Sequence, residues 1–355
     1  MSYLFAILLF SFLIFIHELG HFAAAKAFGV QVNEFSLFMG PALFQKQIGQ
    51  TVYSVRCIPI GGFCAMEGED GEEPSDNPHA FPNAVWWKKT IILAAGAFMN
   101  FVVGVLLMLA LFAPDKQFIM PVVSEVDPRC SFAGEAGIQA GDQLWSIDGE
   151  RIYVSSDFSM LLSLKGGETH DLVVVRGGRK VSLPNLDLRK QDFENEDGTV
   201  TQRYGFSFTL CNASPGVTLG YSWNSTLDCV RLVRLSLQML LRGQAGVQDV
   251  SGPVGIVQQM ATVADNSGSA YYAFLNMIYF GSFIAINLSV MNLLPIPALD
   301  GGRVVGVLLS AAYEGITKKK PNPKIEGYIH GAGMVLLMAL MVLLLFKDII
   351  FAIKG

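Results

Sequence analysis

Hydrophobic positions in this chain gather into four long runs. Residues 3–28, 90–113, 274–294 and 329–350 are each apolar over a length that suits a membrane-crossing helix of about 20 residues. The first run lacks a basic segment ahead of it and a small-residue cleavage site behind it, so it is expected to stay as a helix. Between the runs the pattern changes. Thr51–Met66 reads as two β-runs around a turn, with Gly61-Gly62 as its flexible point. Residues 121–126, 144–147 and 171–176 are short clusters of β-formers, with Asp148-Gly149 and Gly177-Gly178 placed as turns. Beyond Ser207 the spacing reads as helical: Val230, Val233, Leu237, Leu240 and Leu241 recur at three- and four-residue steps. The pattern predicts a polytopic α-helical membrane protein with four transmembrane helices and a separate α+β region.

Composition sharpens that reading. Hydrophobic residues make up 52% of the 355 and charged residues only 15%, far from a soluble balance. The net charge of −5 offers no basic footprint, which excludes nucleic acid as an expected partner. The five cysteines show neither metal-site nor redox spacing. Lys26, Lys46, Arg56, Lys88 and Lys89 lie between the first two spans, and Arg303, Lys318, Lys319, Lys320 and Lys324 between the last two. Both connections should therefore face the cytoplasm, with residues 114–273 outside. The run from Glu67 to Asp76 carries six acids and no base and reads as a solvated loop. Trp86-Trp87-Lys88-Lys89 reads as an interfacial anchor.

The chemistry concentrates in His17-Glu18-Leu19-Gly20-His21. Residues four apart share a helix face, so both imidazoles can bind one metal ion, and Glu18 can address the water that the metal activates. His17 sits roughly 20 Å along the first span, where ionisable groups are costly unless they bind something or face a cavity. A catalytic zinc needs a third protein ligand. Among the other histidines, His79 and His170 sit wrongly in the topology, and His330 reads as an interfacial residue. Asp300, after the helix-breaking Pro295 and Pro297 and before Gly301-Gly302, is the better candidate. Two rival readings remain, a catalytically silent membrane scaffold and a zinc transporter. The intact Glu18 speaks against the first, and the clustering of ionisable residues in one place against the second.

HELGH in the first span with NLLPIPALDGG closing a later one resembles the site-2 protease family of intramembrane zinc metalloproteases, most closely its bacterial regulator-of-sigma-E branch. The resemblance covers nearly the whole chain. Ile58–Phe63 is similar to the family's membrane-associated β-loop, and Gly96–Phe101 to its second-span motif, with Ala97 where the family has proline. Residues 137–149 resemble its PDZ domain, and Ser251–Ile256 its segment before the third span. The resemblance implies Zn2+ held by His17, His21 and Asp300, and Glu18 as general base. It also implies substrate handling by Asn287, Asn292, Asn100, Gly61 and Gly62. It divides the chain into 1–113 (two spans, β-loop and acidic loop), 114–192 (one extracytoplasmic PDZ-like domain), 193–273 (a linker with an amphipathic helix) and 274–355 (the last two spans). Implied partners are single-span membrane proteins such as anti-sigma factors or signal-peptide remnants, peptide or protein termini at the PDZ-like domain, and the lipid bilayer. The implied location is a bacterial cytoplasmic membrane, with the active site towards the cytoplasm.

Overall fold

The computed structural model describes residues 2–69, 76–194, 199–246, 250, 252–319 and 323–354. Within the expected acidic loop, Asp70 to Ser75 lie outside the described residues, as do Ser251 and Lys320. The chain forms two compact units, one of Met1–Leu111 with Cys229–Gly355 and one of Phe112–Asp228.

The first unit opens with helix α1 (Ser2–Ala27), then a sheet of β1 (Val32–Ile48) and β2 (Thr51–Met66), then helix α2 (Trp86–Phe112). Both helices are built from Leu, Ala, Phe and Ile without an internal proline, a composition that favours continuous helix. The 51–66 run, expected as two β-runs around a turn, is instead one continuous strand that pairs with β1 along both halves. It only bends at Gly61, whose φ of 74° is a left-handed value that glycine adopts freely. Strand β1 has no counterpart in the sequence reading. It bends at Phe38 and Gly40, with φ of 71° and 85°. The two bends let residues 34–37 face both halves of β2: Phe35 lies opposite Cys64 and Tyr53, and Leu37 opposite Gly62 and Val55. The far half of the sheet exposes Leu43, Phe44 and Ile48. Period-two alternation is lost across such bends, which is why β1 escapes a pattern search.

The second unit carries β3 (Gln117–Val126), β4 (Gln143–Ile147), β5 (Glu150–Arg151), α3 (Ser156–Lys165), β6 (Thr169–Arg176), β7 (Arg179–Asp187), β8 (Gln191–Glu194), β9 (Val200–Arg203) and β10 (Phe206–Asn212), and helix α4 (Pro215–Leu241) begins within it. Its main sheet runs β10-β3-β4-β6-β7, with β5 paired to β4, and β8-β9 form a small second sheet. Leu144, Ile147, Phe158, Leu161, Leu172 and Val174 make a dry core. Strand β10 occupies part of the stretch that reads as helical beyond Ser207. It pairs antiparallel with β3, and Phe206 packs edge-on against Phe158. A partner strand far away in sequence supplies the ladder that local spacing does not announce.

The rest of the first unit contains α5 (Pro253–Asp265), α6 (Ala270–Asn292), α7 (Asp300–Thr317) and α8 (Pro323–Lys354). Among the described residues, four helices are long and apolar enough to cross a membrane: Ala6–Ala27, Trp86–Phe112, Ala270–Asn292 and Gly327–Ile350. These fall on the four runs of the hydropathy pattern. Helix α6 packs against α2 at Gly104, whose added Cβ would lie 2.6 Å from Ile286, and Ser282 Oγ donates to Gly104 O at 2.8 Å. Leu13 of α1 joins Met260, Met277 and Ile284 in a buried cluster. Asp348 is a charge buried in α8. Its carboxylate accepts from the backbone N–H groups of Gly252 and Gly255 at 3.3 and 2.7 Å, satisfying donors at the start of α5.

Candidate metal centre

Helix α6 ends at Asn292, short of Pro295, and α7 starts at Asp300. Between them the chain doubles back tightly. An added Cβ on Gly301 would meet Leu293 O at 2.3 Å, and one on Gly302 would meet Ile296 O at 2.2 Å. No larger residue fits at either place, so the two glycines let the first turn of α7 rest on the preceding backbone. Ala298 takes φ of 79°, and its N–H donates to His330 Nδ1 at 3.3 Å. His330 thus braces the turn that carries Asp300, a role that its expected interfacial position does not suggest.

The turn delivers Asp300 to α1. His17 Nε2 and His21 Nε2 lie 3.1 Å apart. Asp300 Oδ2 stands 3.0 Å from the first and 3.4 Å from the second. Both histidines are buried, with relative exposures of 9% and 7%. Ligands of a tetrahedral zinc ion at about 2.0–2.1 Å are separated by about 3.3 Å, close to all three edges of this triangle. Asp300 Oδ2 is also buried without a hydrogen-bond partner, and a buried oxygen left so is costly unless a cation takes it. The three residues therefore fit a zinc ion. Glu18, one position along α1, is half-buried.

Helix α2 forms the outer wall. His21 Nδ1 lies 2.8 Å from Ile92 O. A carbonyl only accepts, so Nδ1 carries the hydrogen and Nε2 keeps its lone pair for a metal. One turn on, Gly96 leaves room for the imidazoles: an added Cβ would lie 2.4 Å from His21 Nε2 and 2.8 Å from His17 Nε2. One turn further, the amide of Asn100 meets His17 Nδ1 at 3.5 Å. Asn100 is 1% exposed, and its Oδ1 has no partner. A half-turn of that amide would set Oδ1 to accept from Nδ1–H, the tautomer that a metal on Nε2 requires. Gly20 lets the helices approach, since its Cβ would fall 2.4 Å from Ala95 O.

The other expected site residues lie elsewhere in the same unit. Asn287 Nδ2 donates to Phe283 O in its own helix at 2.9 Å, and Asn292 is the last residue of α6. Gly61 sits at the bend of β2, near Ile14 of α1, and Gly62 pairs with Leu37. None of these four belongs to the group of converging ligand atoms. The sequence reading also missed an anchor. Arg303 Nη1 donates to Glu69 Oε1 at 2.5 Å and Nη2 to Glu69 O at 3.2 Å, tying the end of the β-sheet to the helix that bears Asp300. Glu69 falls in the acidic run expected to be solvated, yet its side chain is only 13% exposed. Nothing in the sequence pairs residues so far apart.

A family model described as peptidase family M50 matches residues 5–340. A protein of Clostridium perfringens, provisionally named a zinc metalloprotease, is 37% identical and covers 99% of this chain and 100% of its own length. One from Clostridium acetobutylicum with the same provisional name is 35% identical over 98% of this chain and 97% of its own length. The regulator of sigma-W protease RasP of Bacillus subtilis is 26% identical over 97% of each chain.

Proposed function

The chain belongs to peptidase family M50 and is a zinc metalloprotease; from that premise we propose that it hydrolyses peptide bonds within or beside the membrane-spanning segments of other proteins. The observation that carries the proposal is the meeting of His17, His21 and Asp300 between helices that are themselves apolar enough to span a bilayer. In this reading these three residues hold Zn2+, which supplies Lewis acidity towards water and towards the scissile carbonyl. Glu18 takes the proton from the attacking water at its carboxylate and passes it to the leaving amine. Asn100 holds His17 in its ligating tautomer, and Ile92 O does the same for His21.

A substrate helix has its carbonyls bonded internally, so it must open before it is cut. The bent β1–β2 sheet lies against α1: Ser11 Oγ donates to Pro59 O at 2.9 Å. In our reading the run ending at Gly61-Gly62 takes up the unwound substrate by strand addition, and Asn287 and Asn292 handle it from α6. The positive residues flanking the spans support a reading in which the metal centre faces the cytoplasm and residues 114–273 lie outside. That unit, with its helix α3 against an antiparallel sheet, is read as a PDZ-like module that filters or captures protein termini. The substrates are then single-span proteins of the anti-sigma-factor or signal-peptide-remnant kind, in line with a relative named for regulating sigma-W.

Trapping tests this reading. A Glu18→Gln variant expressed in cells should accumulate membrane-embedded fragments that co-purify with it and that the wild type cuts in vesicles. If the wild type cuts only soluble peptides and leaves membrane fragments intact, the membrane-substrate reading is wrong.

A further inference from the structure

Helix α7 is amphipathic in a way that the metal centre does not use. Val304 and Val307 pack into the core near α1, and Arg303 turns to Glu69. Another face exposes Val305, Leu309, Tyr313 and Ile316, at three- and four-residue steps and with exposures of 38, 66, 47 and 84%. Glu314 lies half a turn away from this stripe. A single exposed leucine needs no explanation, whereas a continuous apolar stripe along one helix marks a contact surface.

Both ends of α7 are tethered. It begins at Asp300, a few residues after α6 ends at Asn292, and it ends at Thr317, a few residues before α8 begins at Pro323. Both of those helices include segments long and apolar enough to cross a membrane. A helix of about 27 Å held by such short links at both ends cannot leave the surface from which its neighbours emerge. Its C-terminal end is basic: Lys318 caps it in the left-handed conformation, and Lys318 and Lys319 are exposed.

We propose that the Val305–Leu309–Tyr313–Ile316 face is a docking surface for the cytoplasmic leaflet of the bilayer, with Lys318 and Lys319 drawing anionic lipid headgroups to its end. The apolar stripe and the terminal amines match the two halves of an anionic interface, acyl chains below and headgroups beside them. The consequence for the enzyme is direct. Asp300 is the first residue of α7, so the lipid contact seats the same rigid element that presents the third zinc ligand. This builds on the reading of the chain as a membrane protease, and it adds the partner that steadies the site.

The test uses the full-length, zinc-loaded protein carrying Cys57→Ser and Cys211→Ser, with either Leu309→Cys or Glu314→Cys bearing an environment-sensitive fluorophore. It is reconstituted in phosphatidylcholine vesicles, with or without phosphatidylglycerol, and with brominated acyl chains as quencher. The probe at position 309 should be quenched and that at 314 should not. Phosphatidylglycerol should deepen quenching at 309. Lys318→Gln with Lys319→Gln should weaken that gain by about fivefold per lysine, the factor corresponding to about 1 kcal/mol each. Leu309→Glu should speed zinc loss to a chelator several-fold, whereas Glu314→Gln should not. Equal quenching at both positions would overturn the proposal, as would a probe at 309 shielded by a second copy of the chain rather than by lipid. Quenching does not depend on cleavage, so its failure is distinct from failure of the protease reading.

Discussion

Two places where a buried histidine meets an aspartate can be set side by side. In the second unit His170 Nδ1 lies 2.7 Å from Asp148 Oδ2, and the other Asp148 oxygen accepts from Asp171 N at 2.9 Å. That carboxylate is fully used, and it staples a β-turn to its neighbouring strand. In the first unit Asp300 Oδ2 faces two imidazole nitrogens and has no hydrogen-bond partner, while the far side of His21 is tied to Ile92 O. The contact distances are similar, but the accounting of donors and acceptors differs. A closed ledger marks a structural pair; three converging acceptor atoms, with ring hydrogens directed outward, mark a cation site.

The widest separation between the two should come from removing one partner in each. Asp300→Ala should lose most bound zinc and with it cleavage of a membrane substrate. His170→Ala should leave zinc content unchanged and cost the second unit about 1 kcal/mol, the ordinary net worth of a hydrogen bond, because Asp148 is 25% exposed and can turn to water. Metal analysis and thermal unfolding of both variants decide the matter; equal zinc loss would erase the distinction.

Asn100 sharpens the same contrast one shell out. Asn100→Leu should weaken zinc binding about 10- to 100-fold, the range for partners of metal-bound histidines, and Asn100→Asp should restore part of it. Chelator competition measures this. If Asn100→Leu raises only the KM for a membrane substrate and spares zinc, Asn100 belongs to substrate handling instead.

A smaller effect tests the proposed topology. Cys57 on β2 is exposed, and Cys211 on β10 is partly so. Cys64 is buried, and burial, followed by the charges of Glu18 and Glu69, pushes its thiol well above the ordinary value, so it should label slowly. An impermeant thiol reagent should therefore modify Cys211 in intact cells and Cys57 only after the membrane is opened. Modification of Cys57 from outside would invert the topology.

The smallest expected effect lies at Asp127, where hydrogen bonds from the Arg129 side chain and backbone hold the carboxyl at about 2, below its ordinary 3.8. A depressed carboxyl contributes stability above its unfolded value, and that contribution is lost as pH falls from 3.8 towards about 2. Because the pair is screened by solvent, Asp127→Asn should barely alter unfolding at pH 7. A large shift there would show that the surface pair does more than screened charges can.

Much of the candidate metal centre is legible in the chain because its signals are local. The HELGH spacing sets His17 and His21 on one helix face, and the proline–glycine turn before α7 betrays a chain bent inward. The four spans were legible for the same reason, each being a continuous run. What escaped depends on distant partners. Strand β1 is bent and pairs with both halves of β2, β10 needs β3, and Glu69 meets Arg303 across most of the sequence. Helix α7 hid behind its prolines and glycines, which mark a turn but do not announce the helix that follows. Asn100 was marked by resemblance, yet its place beside His17 follows from i, i+4, i+8 spacing with Ile92 and Gly96 on α2, which becomes meaningful only once α2 is known to face α1.

The central claim is that the centre at His17, His21 and Asp300 hydrolyses peptide bonds with Glu18 moving the proton. The most direct measurement takes wild type and Glu18→Gln in parallel vesicles, with zinc content and cleavage of a single-span substrate read on the same samples. Both proteins should hold about one zinc per chain, and the variant should cleave at least about 100-fold more slowly. A zinc-loaded Glu18→Gln protein that cleaves near the wild-type rate would contradict the account.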